Sequence, residues 1–519
     1  MATIAGIDLG TTFSALAALN AIGKPEIIPN ADGERLTPSV IFFDEENPDV
    51  VRVGIEAVNS RHLNANRSVR WVKRHMGDVS YRKNIDSKDW TPLELSALIL
   101  KKLRQDCSGE DRKIHDAVVS VPAHFDEVRR KATMEAGNMA GLNVIGIVNE
   151  PVAAALYYAT TCTVSGKVLV YDLGGGTFDV TIMDVKGRQM DIVCSQGDHA
   201  LGGVDFDHRV VELLEQMYRD KFDAELISSE EDRAKCEDEA EDIKKTLSRR
   251  SVAKKMLYGP AGNLRVEITR EMFEQAITEL MNRADILVEV ALEEACIEPG
   301  AIDKVLLVGG STRIPLVRQR LEKLFGFLPE TAVNVDECVA LGAALHAGLT
   351  TLRETPDIVP AGVARGLGDI NLTDVCNHSY GTVCAPIDKE TGRRIIENRI
   401  ILQKNTPLPC EASQTFYTVT DGQDAVEVTI TQGEDADVDY IRKIATHKFE
   451  LPPDRLAGCP IKVTYGYDVN QRMRCKFEDL ESDKVLEVDL RLGQDGTMSQ
   501  SDVKQSEMQQ SAVSKSKVE

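Results

Sequence analysis

Two short segments carry residue types suited to gripping a polyphosphate: Asp8-Leu9-Gly10-Thr11-Thr12 and Asp172-Leu173-Gly174-Gly175-Gly176-Thr177. Each follows an apolar run, residues 4–7 and 167–171, that reads as a buried strand. Glycine lets backbone N–H groups turn toward an anion with no Cβ in the way. The hydroxyls of Thr11, Thr12 and Thr177 add donors. Asp8 and Asp172 would repel phosphate, so the pattern calls for a cation. Mg²⁺ held by carboxylates through water, and by phosphate oxygens directly, satisfies that need. Either turn alone is more often a plain strand connection. The pair is different, because IAGIDLGTTFSALAAL and VLVYDLGGGTFDVTIMDV repeat one strand–loop–strand pattern. The repeat predicts two lobes with the same core.

Other signals are weaker. Gly309-Gly310, after the apolar run 305–308, lets the backbone approach a flat ligand, and Arg313 could stack on it. Leu201-Gly202-Gly203 is similar. Glu241, Lys244 and Ser248 share one face of a helical segment at i, i+3 and i+7. Such a face is commonly a solvated, ion-paired surface. Lys73, in RWVKRHMGD, is one lysine in a basic patch and does not stand out from the residues alone.

The elements that must position these groups alternate over residues 1–350. Thr91-Pro92-Leu93-Glu94 predicts a helix start with a capping box, and Asp126 predicts a cap for a helix closed at Gly141. Residues 117–121 form a further buried strand. Strands alternating with helices predict an α/β architecture. Beyond about residue 365 the helical periodicity gives way to short alternating runs. Asp421-Gly422, between QTFYTVT and AVEVTITQGE, predicts a hairpin. IKVTYGYD, RMRCKFED and KVLEVDLRL continue an antiparallel β region. The Ser/Gln-rich stretch 496–519 predicts a disordered polar tail.

A chain of 519 residues exceeds one hydrophobic core, so two to four domains are expected. No apolar run reaches the roughly 18 residues of a membrane span. The start MATIAGIDLG lacks the features of a secretory signal, and a cytoplasmic location is expected. Eleven scattered cysteines without metal-ligand spacing, among them Cys162, Cys194 and Cys338, read as reduced buried thiols. A net charge of −22 argues against a nucleic-acid partner.

The segments GIDLGTT, VVSVPAHF, VNEPVAAAL, YDLGGGTFDVT, LGGVDFD, LLVGGSTRIP and VDECVALGAAL occur in this order and spacing. Together with NTPLP and QTFYTVTDGQDAVEVTITQGE they resemble the heat-shock protein seventy (DnaK-like) chaperone family, closest to its HscC-like branch. The resemblance implies an actin-like α/β ATPase domain of two duplicated lobes (1–365), an interdomain linker (366–379) and a small all-β sandwich that binds peptides (380–495), before the tail (496–519). It implies ATP/ADP with Mg²⁺, and K⁺ as a further candidate ion. Asp8 and Asp172 would position hydrated Mg²⁺. Gly10, Thr11, Thr12, Gly174, Gly175, Gly176 and Thr177 would cradle phosphates flanked by Gly202 and Gly203. Lys73, Glu150, Asp172, Thr177 and Asp179 would carry hydrolysis. Glu241, Lys244 and Ser248 would clamp adenosine against Gly309, Gly310 and Arg313, with Asp336 closing the cleft. Pro122, Arg130 and Glu150 match a relay from nucleotide to linker, which reaches Ile370, Leu372 and Asp374. Phe416, Val426 and Val428 match the lining of a pocket for an extended apolar peptide, although inward-facing sandwich residues alternate in the same way.

The chain also departs from the family. Its linker run, Ile370-Asn371-Leu372-Thr373, keeps only two of four large apolar residues, which predicts weaker docking on the ATPase. Val419 stands where the family's substrate arch often has a smaller residue. Gly146 stands where many members carry a basic J-domain contact. A polar tail stands where a helical lid is expected, which predicts rapid peptide release. Unfolded peptides are the expected partners, with a J-domain co-chaperone and a nucleotide exchange factor besides, but no nucleic acid or membrane. Two alternatives stay open: a nucleotide-locked scaffold or exchange-factor-like relative with little turnover, and a small-molecule kinase on the same fold.

Overall fold

The computed structural model describes residues 2–61, 64–109, 113–161, 165–331, 334–387, 392–469, 471–489 and 509–519. Two mixed six-stranded sheets dominate the first 373 residues. In the first, Ala2–Asp8 runs parallel to Lys113–Val121 and antiparallel to Phe13–Leu19. In the second, Ser165–Leu173 runs parallel to Lys304–Val308 and antiparallel to Phe178–Lys186. The repeat seen in the sequence therefore recurs as one pairing pattern, and each Asp-Leu-Gly loop joins the antiparallel pair of its own sheet.

The helices Glu150–Thr161 and Cys338–Glu354 join the sheets through a core that includes Val118, Val148, Val168, Val170 and Leu306. They approach closely because Gly342 lacks a side chain: a Cβ there would lie 1.7 Å from the Ala153 carbonyl oxygen. Two expected caps form. Thr91 and Glu94 make a reciprocal capping box on Pro92–Asp106, and Asp126 accepts from the Arg129 amide at 2.9 Å to open Glu127–Met139. Cys194 and Cys338 are buried, while Cys162 lies outside the described residues. No helix among the described residues is long and apolar enough to cross a membrane.

Beyond Tyr380 two four-stranded antiparallel sheets enclose a core around Tyr465, Phe477 and Ile430. The expected hairpin at Asp421-Gly422 does not form. Cys410–Tyr417 pairs with Pro460–Tyr467, whereas Ala425–Gln432 pairs with Tyr380–Cys384 and Arg442–Glu450. Gly422 does turn the chain, with φ 72°, but the turn carries it from one sheet to the other. Its amide donates to Arg455 O and Asp421 accepts from the Ala457 amide, so contacts beyond the local pattern decide the pairing. The loop is too long for the tight two-residue turn that would force neighbours together.

The tail also differs from expectation over its described part. Residues 509–515 are helical and Lys517–Val518 adds a parallel strand to Val50–Val53. Val513 is fully buried and Val518 packs beside the same core. Two valines and a free strand edge supply local anchors that bulk polarity averages away.

Candidate active site

The two Asp-Leu-Gly loops face each other across a cavity of about 700 Å³, a volume within the range of small-ligand sites. Its wall includes Asp8, Gly10, Thr11, Thr12, Lys73, Glu150, Asp172, Gly174, Gly175 and Thr177 at one end. Glu241, Lys244, Ser248, Gly309, Gly310, Arg313 and Asp336 line the remainder. Gly176, Gly202, Gly203 and Asp179 stand just behind it. The Gly203 and Val204 amides donate to the carbonyls of Gly174 (3.0 Å) and Gly175 (2.7 Å), bracing that loop. The same turn opens the helix Gly203–Phe222, so a helix N-terminus backs the glycine-loop end and favours negative charge.

That end holds an unusual charge set. Asp172 and Asp179 are partners across the antiparallel pair, and Asp179 accepts from the His124 amide at 3.1 Å. Ser120 donates to Asp8 at 2.8 Å. Lys73 is 4% exposed and its ammonium donates to Glu150 Oε1. A short 3₁₀ helix, Val72–His75, carries the lysine; it starts at Trp71, whose left-handed backbone (φ 58°) turns the chain into the cavity. Burial pushes the Glu150 carboxyl up to about 7 and Asp179 up to about 8. Burial and the neighbouring carboxylates Glu150, Asp179 and Asp8 hold Asp172 well above the usual range. Burial pulls the Lys73 ammonium down, but Glu150, Asp8 and Asp172 outweigh it and the net shift is upward.

One ammonium therefore faces four carboxyl groups, a set that favours a further cation. Among the described residues no three acidic, His or Cys side chains converge to ligate an ion directly. The donor set fits Mg²⁺, which Asp8 and Asp172 would hold through water.

The opposite end is built on the helix Glu230–Arg249. Burial would raise the Glu241 carboxyl, but Lys245, Arg70 and Lys244 overcome it and bring it down to about 2. Lys244 bonds Asp207 at 2.7 Å and Gly203 O at 2.9 Å, and Ser248 donates to Lys244 O. Arg313 pairs with Asp336 at 2.7 Å. Ion pairs join residues 35–74 to residues 205–337 across the cleft: Arg35–Glu337 (2.6 Å), Arg70–Glu241 (2.9 Å), Arg74–Asp205 (2.9 Å) and Arg61–Asp238. Sequence reasoning missed these arginines together with Trp71 and Asp207. For Arg70 and Arg74 the one visible trace is the basic run around Lys73, and their partners lie more than 130 positions away.

A second cluster joins the Glu150 side of the molecule to the β region. Arg130, 1% exposed, donates to Asn149 Oδ1 (2.8 Å), Ala123 O (3.0 Å), Phe125 O (2.9 Å) and Gln471. Asn149 and Gln471 both donate to Asp374. Pro122 is buried at the start of the loop whose Phe125 amide returns to Pro122 O. Asn371–Thr373 lies as a strand beside Gln189–Asp191. Ile370 is buried and Leu372 packs against the same core, so both remaining apolar side chains of this run are used. Asn149, which precedes Glu150, and Gln471 were not anticipated. In the β region Val428 belongs to the core, while Phe416 and Val426 are half-buried against it.

A family model described as "Hsp70 protein" matches residues 4–88 and 80–519. Among curated relatives, "Chaperone protein DnaK" of Thermotoga neapolitana is 37% identical over 501 residues, covering 93% of this chain and 79% of the relative. The proteins of the same name from Thermotoga petrophila and Thermotoga maritima match at the same identity and coverage. A match spanning nearly every residue, with both glycine loops in place, leaves one conclusion: the chain belongs to the Hsp70 family.

Proposed function

We propose that the chain, an ATP-dependent chaperone and ATPase of the Hsp70 type, binds MgATP in the cavity between its two glycine loops and uses hydrolysis to time its hold on extended apolar peptides. The observation that carries this reading is Lys73: a buried ammonium set among four buried carboxyl groups where glycine loops converge. In this reading residues 1–365 form an actin-like ATPase, 366–379 its linker and 380–495 a peptide-binding sandwich.

The phosphates would sit on the backbone amides and hydroxyls of Thr11, Thr12 and Thr177. Glu241, Lys244, Ser248, Gly309, Gly310 and Arg313 would hold the nucleoside, and Asp336 the mouth. Hydrated Mg²⁺ beside Asp8 and Asp172 would neutralise phosphate charge, and K⁺ is a further candidate ion. Lys73 would exchange its bond to Glu150 for one to the transferring phosphoryl group, where charge spreads in the transition state. Thr177 would orient the attacking water. Glu150 and Asp179, with pKa values of about 7 and about 8, suit a group that takes a proton near neutrality. Arg130, Asn149 and Asp374 would carry the change to the linker, and Phe416, Val426 and Val428 would face or support the peptide.

Unfolded segments, a J-domain co-chaperone and an exchange factor are the proposed partners, in the cytoplasm. Single-turnover hydrolysis, with and without an unfolded peptide, tests the proposal. Peptide-sensitive release of phosphate to water, abolished by Lys73→Ala, supports it. Phosphate appearing on a metabolite, or tight ATP binding without turnover, overturns it.

A further inference from the structure

The segment 509–519 is seated on a built groove. Lys517–Val518 lies parallel to Val50–Val53, with Lys517 opposite Val50 and Val518 opposite Val51. The Lys517 amide donates to Asp49 O (2.8 Å), the Glu519 amide to Val51 O (2.9 Å), and the Val53 amide to Glu519 O (2.9 Å). Just before this strand the helical turns 509–515 end over Lys101. The Lys101 ammonium donates to the carbonyls of Val513 (2.8 Å), Ser514 (3.2 Å) and Ser516 (2.9 Å). A cation placed on the last carbonyls of a helix satisfies acceptors that have no partner within the helix. Val513 is 0% exposed and fills the core that also holds Val51, Val53, Ile41, Val69 and Val72.

Three devices of different kinds thus converge on one short peptide: strand addition, an apolar plug and a lysine socket. Strand addition supplies affinity through the backbone, and side-chain pockets supply selectivity. The far edge of the same sheet is Ser68–Val69, and the chain runs from there through Arg70 and Trp71 into Val72–His75, which carries Lys73.

We infer that the edge of strand Val50–Val53, together with Lys101 and the Val513 pocket, is a peptide-docking site whose ligand is this chain's own segment 509–519. Occupancy completes the sheet that leads to the Lys73 segment. The ligand class is a peptide of one or two helical turns that pass into a short strand, with an apolar residue in the last helical turn four positions before a Lys-Val pair. The site does not depend on how Lys73 acts in hydrolysis.

Amide hydrogen exchange on the full chain tests it, comparing wild type with Val513→Asp and, as a milder change, Lys101→Gln. The expected result is slow exchange at Lys517, Glu519 and Val53 in the wild type, at least tenfold faster in both variants. A synthetic peptide of residues 509–519, added at about millimolar concentration to match an intramolecular ligand, restores protection at Val53 in Val513→Asp. Unprotected amides at 517–519 in the wild type, or protection of Val53 that neither variant changes, overturns the inference. Protection that disappears on dilution, with a dimer seen by sedimentation, shows a second copy as the occupant and also overturns it.

Discussion

Gly175 stands directly against Thr12: a Cβ on the glycine would fall 2.2 Å from the threonine Oγ1. The two glycine loops, which belong to different sheets, therefore touch at a point where only hydrogen fits. Gly176 repeats the relation with Thr11 at 2.7 Å. The loops form one surface because the second lacks bulk where the first has its hydroxyls.

Gly175→Ala is accordingly expected to push the loops apart and weaken MgATP binding at least tenfold, about 1.4 kcal/mol. Titration with a fluorescent ATP analogue measures this. Adding Thr12→Ala should recover part of the loss by removing the clashing oxygen, and the two changes should be non-additive because the sites are in contact.

Lys73→Ala leaves the four carboxyl groups without their ammonium. Single-turnover hydrolysis should fall by about 100-fold or more, as when a preorganised charge is removed from a transition state. ATP affinity should change far less, because most of the cavity wall is untouched. Rapid-quench measurements beside equilibrium binding separate the two effects.

The acidic cluster makes stability depend on pH. Glu150 and Asp179 are raised in the folded protein to about 7 and about 8, against roughly 4 in an unfolded chain. The folded state then binds more protons than the unfolded one between about pH 4 and pH 8, so the nucleotide-free protein loses stability as pH rises through that window. Ionised carboxyls are what a cation needs. The rise in melting temperature on adding MgATP should therefore be larger at pH 8 than at pH 6, which thermal scans at the two pH values will show. Glu150→Gln should reduce the difference.

The linker offers a cleaner separation of hydrolysis from coupling. Ile370 is 7% exposed and Leu372 packs beside it. Truncating one buried aliphatic costs about 2 kcal/mol or more, and a buried charge costs further. Ile370→Asp with Leu372→Asp should undock the strand from Gln189–Asp191 and remove stimulation by peptide, with basal hydrolysis retained. Persisting stimulation would contradict the assigned route.

Two histidines predict acid-sensitive docking. His378 shares a hydrogen bond of 3.1 Å with Phe125 O and its ring lies 5.2 Å from that of His124. Burial brings His124 down to about 4 and holds His378 well below its ordinary value. Both are neutral when docked, whereas an undocked histidine titrates near 6.5. Docking should weaken as pH falls below about 6.5 toward 4. Fluorescence transfer between the β region and the nucleotide-binding part would follow it, and His378→Gln should flatten the response.

What the sequence determined by itself was chemistry that is local in the chain. The loops Asp8–Thr12 and Asp172–Thr177, which line one cavity, were legible because glycine and hydroxyl types recur in them at fixed spacing. Their repetition announced two sheets with one pairing scheme. The caps at Thr91 and Asp126 were legible for the same reason: a cap is a contact within four residues. Lys73 was not legible from its surroundings, since a lysine in a basic run has many uses. Only the family resemblance singled it out, and only the fold brings Glu150, 77 positions away, to its ammonium. The arginines that cross the cleft, and the Arg130–Asn149–Asp374–Gln471 cluster, join residues as far as 302 and 341 positions apart. No local pattern encodes such partners. The Asp421-Gly422 turn shows the limit most sharply, because a turn fixes a change of direction while the pairing of its flanking strands is chosen by the shared core of two sheets. The segment 509–519 reverses a reading from composition for a related reason: two valines suffice when a sheet edge and Lys101 are waiting, and their presence is a property of the tertiary structure alone.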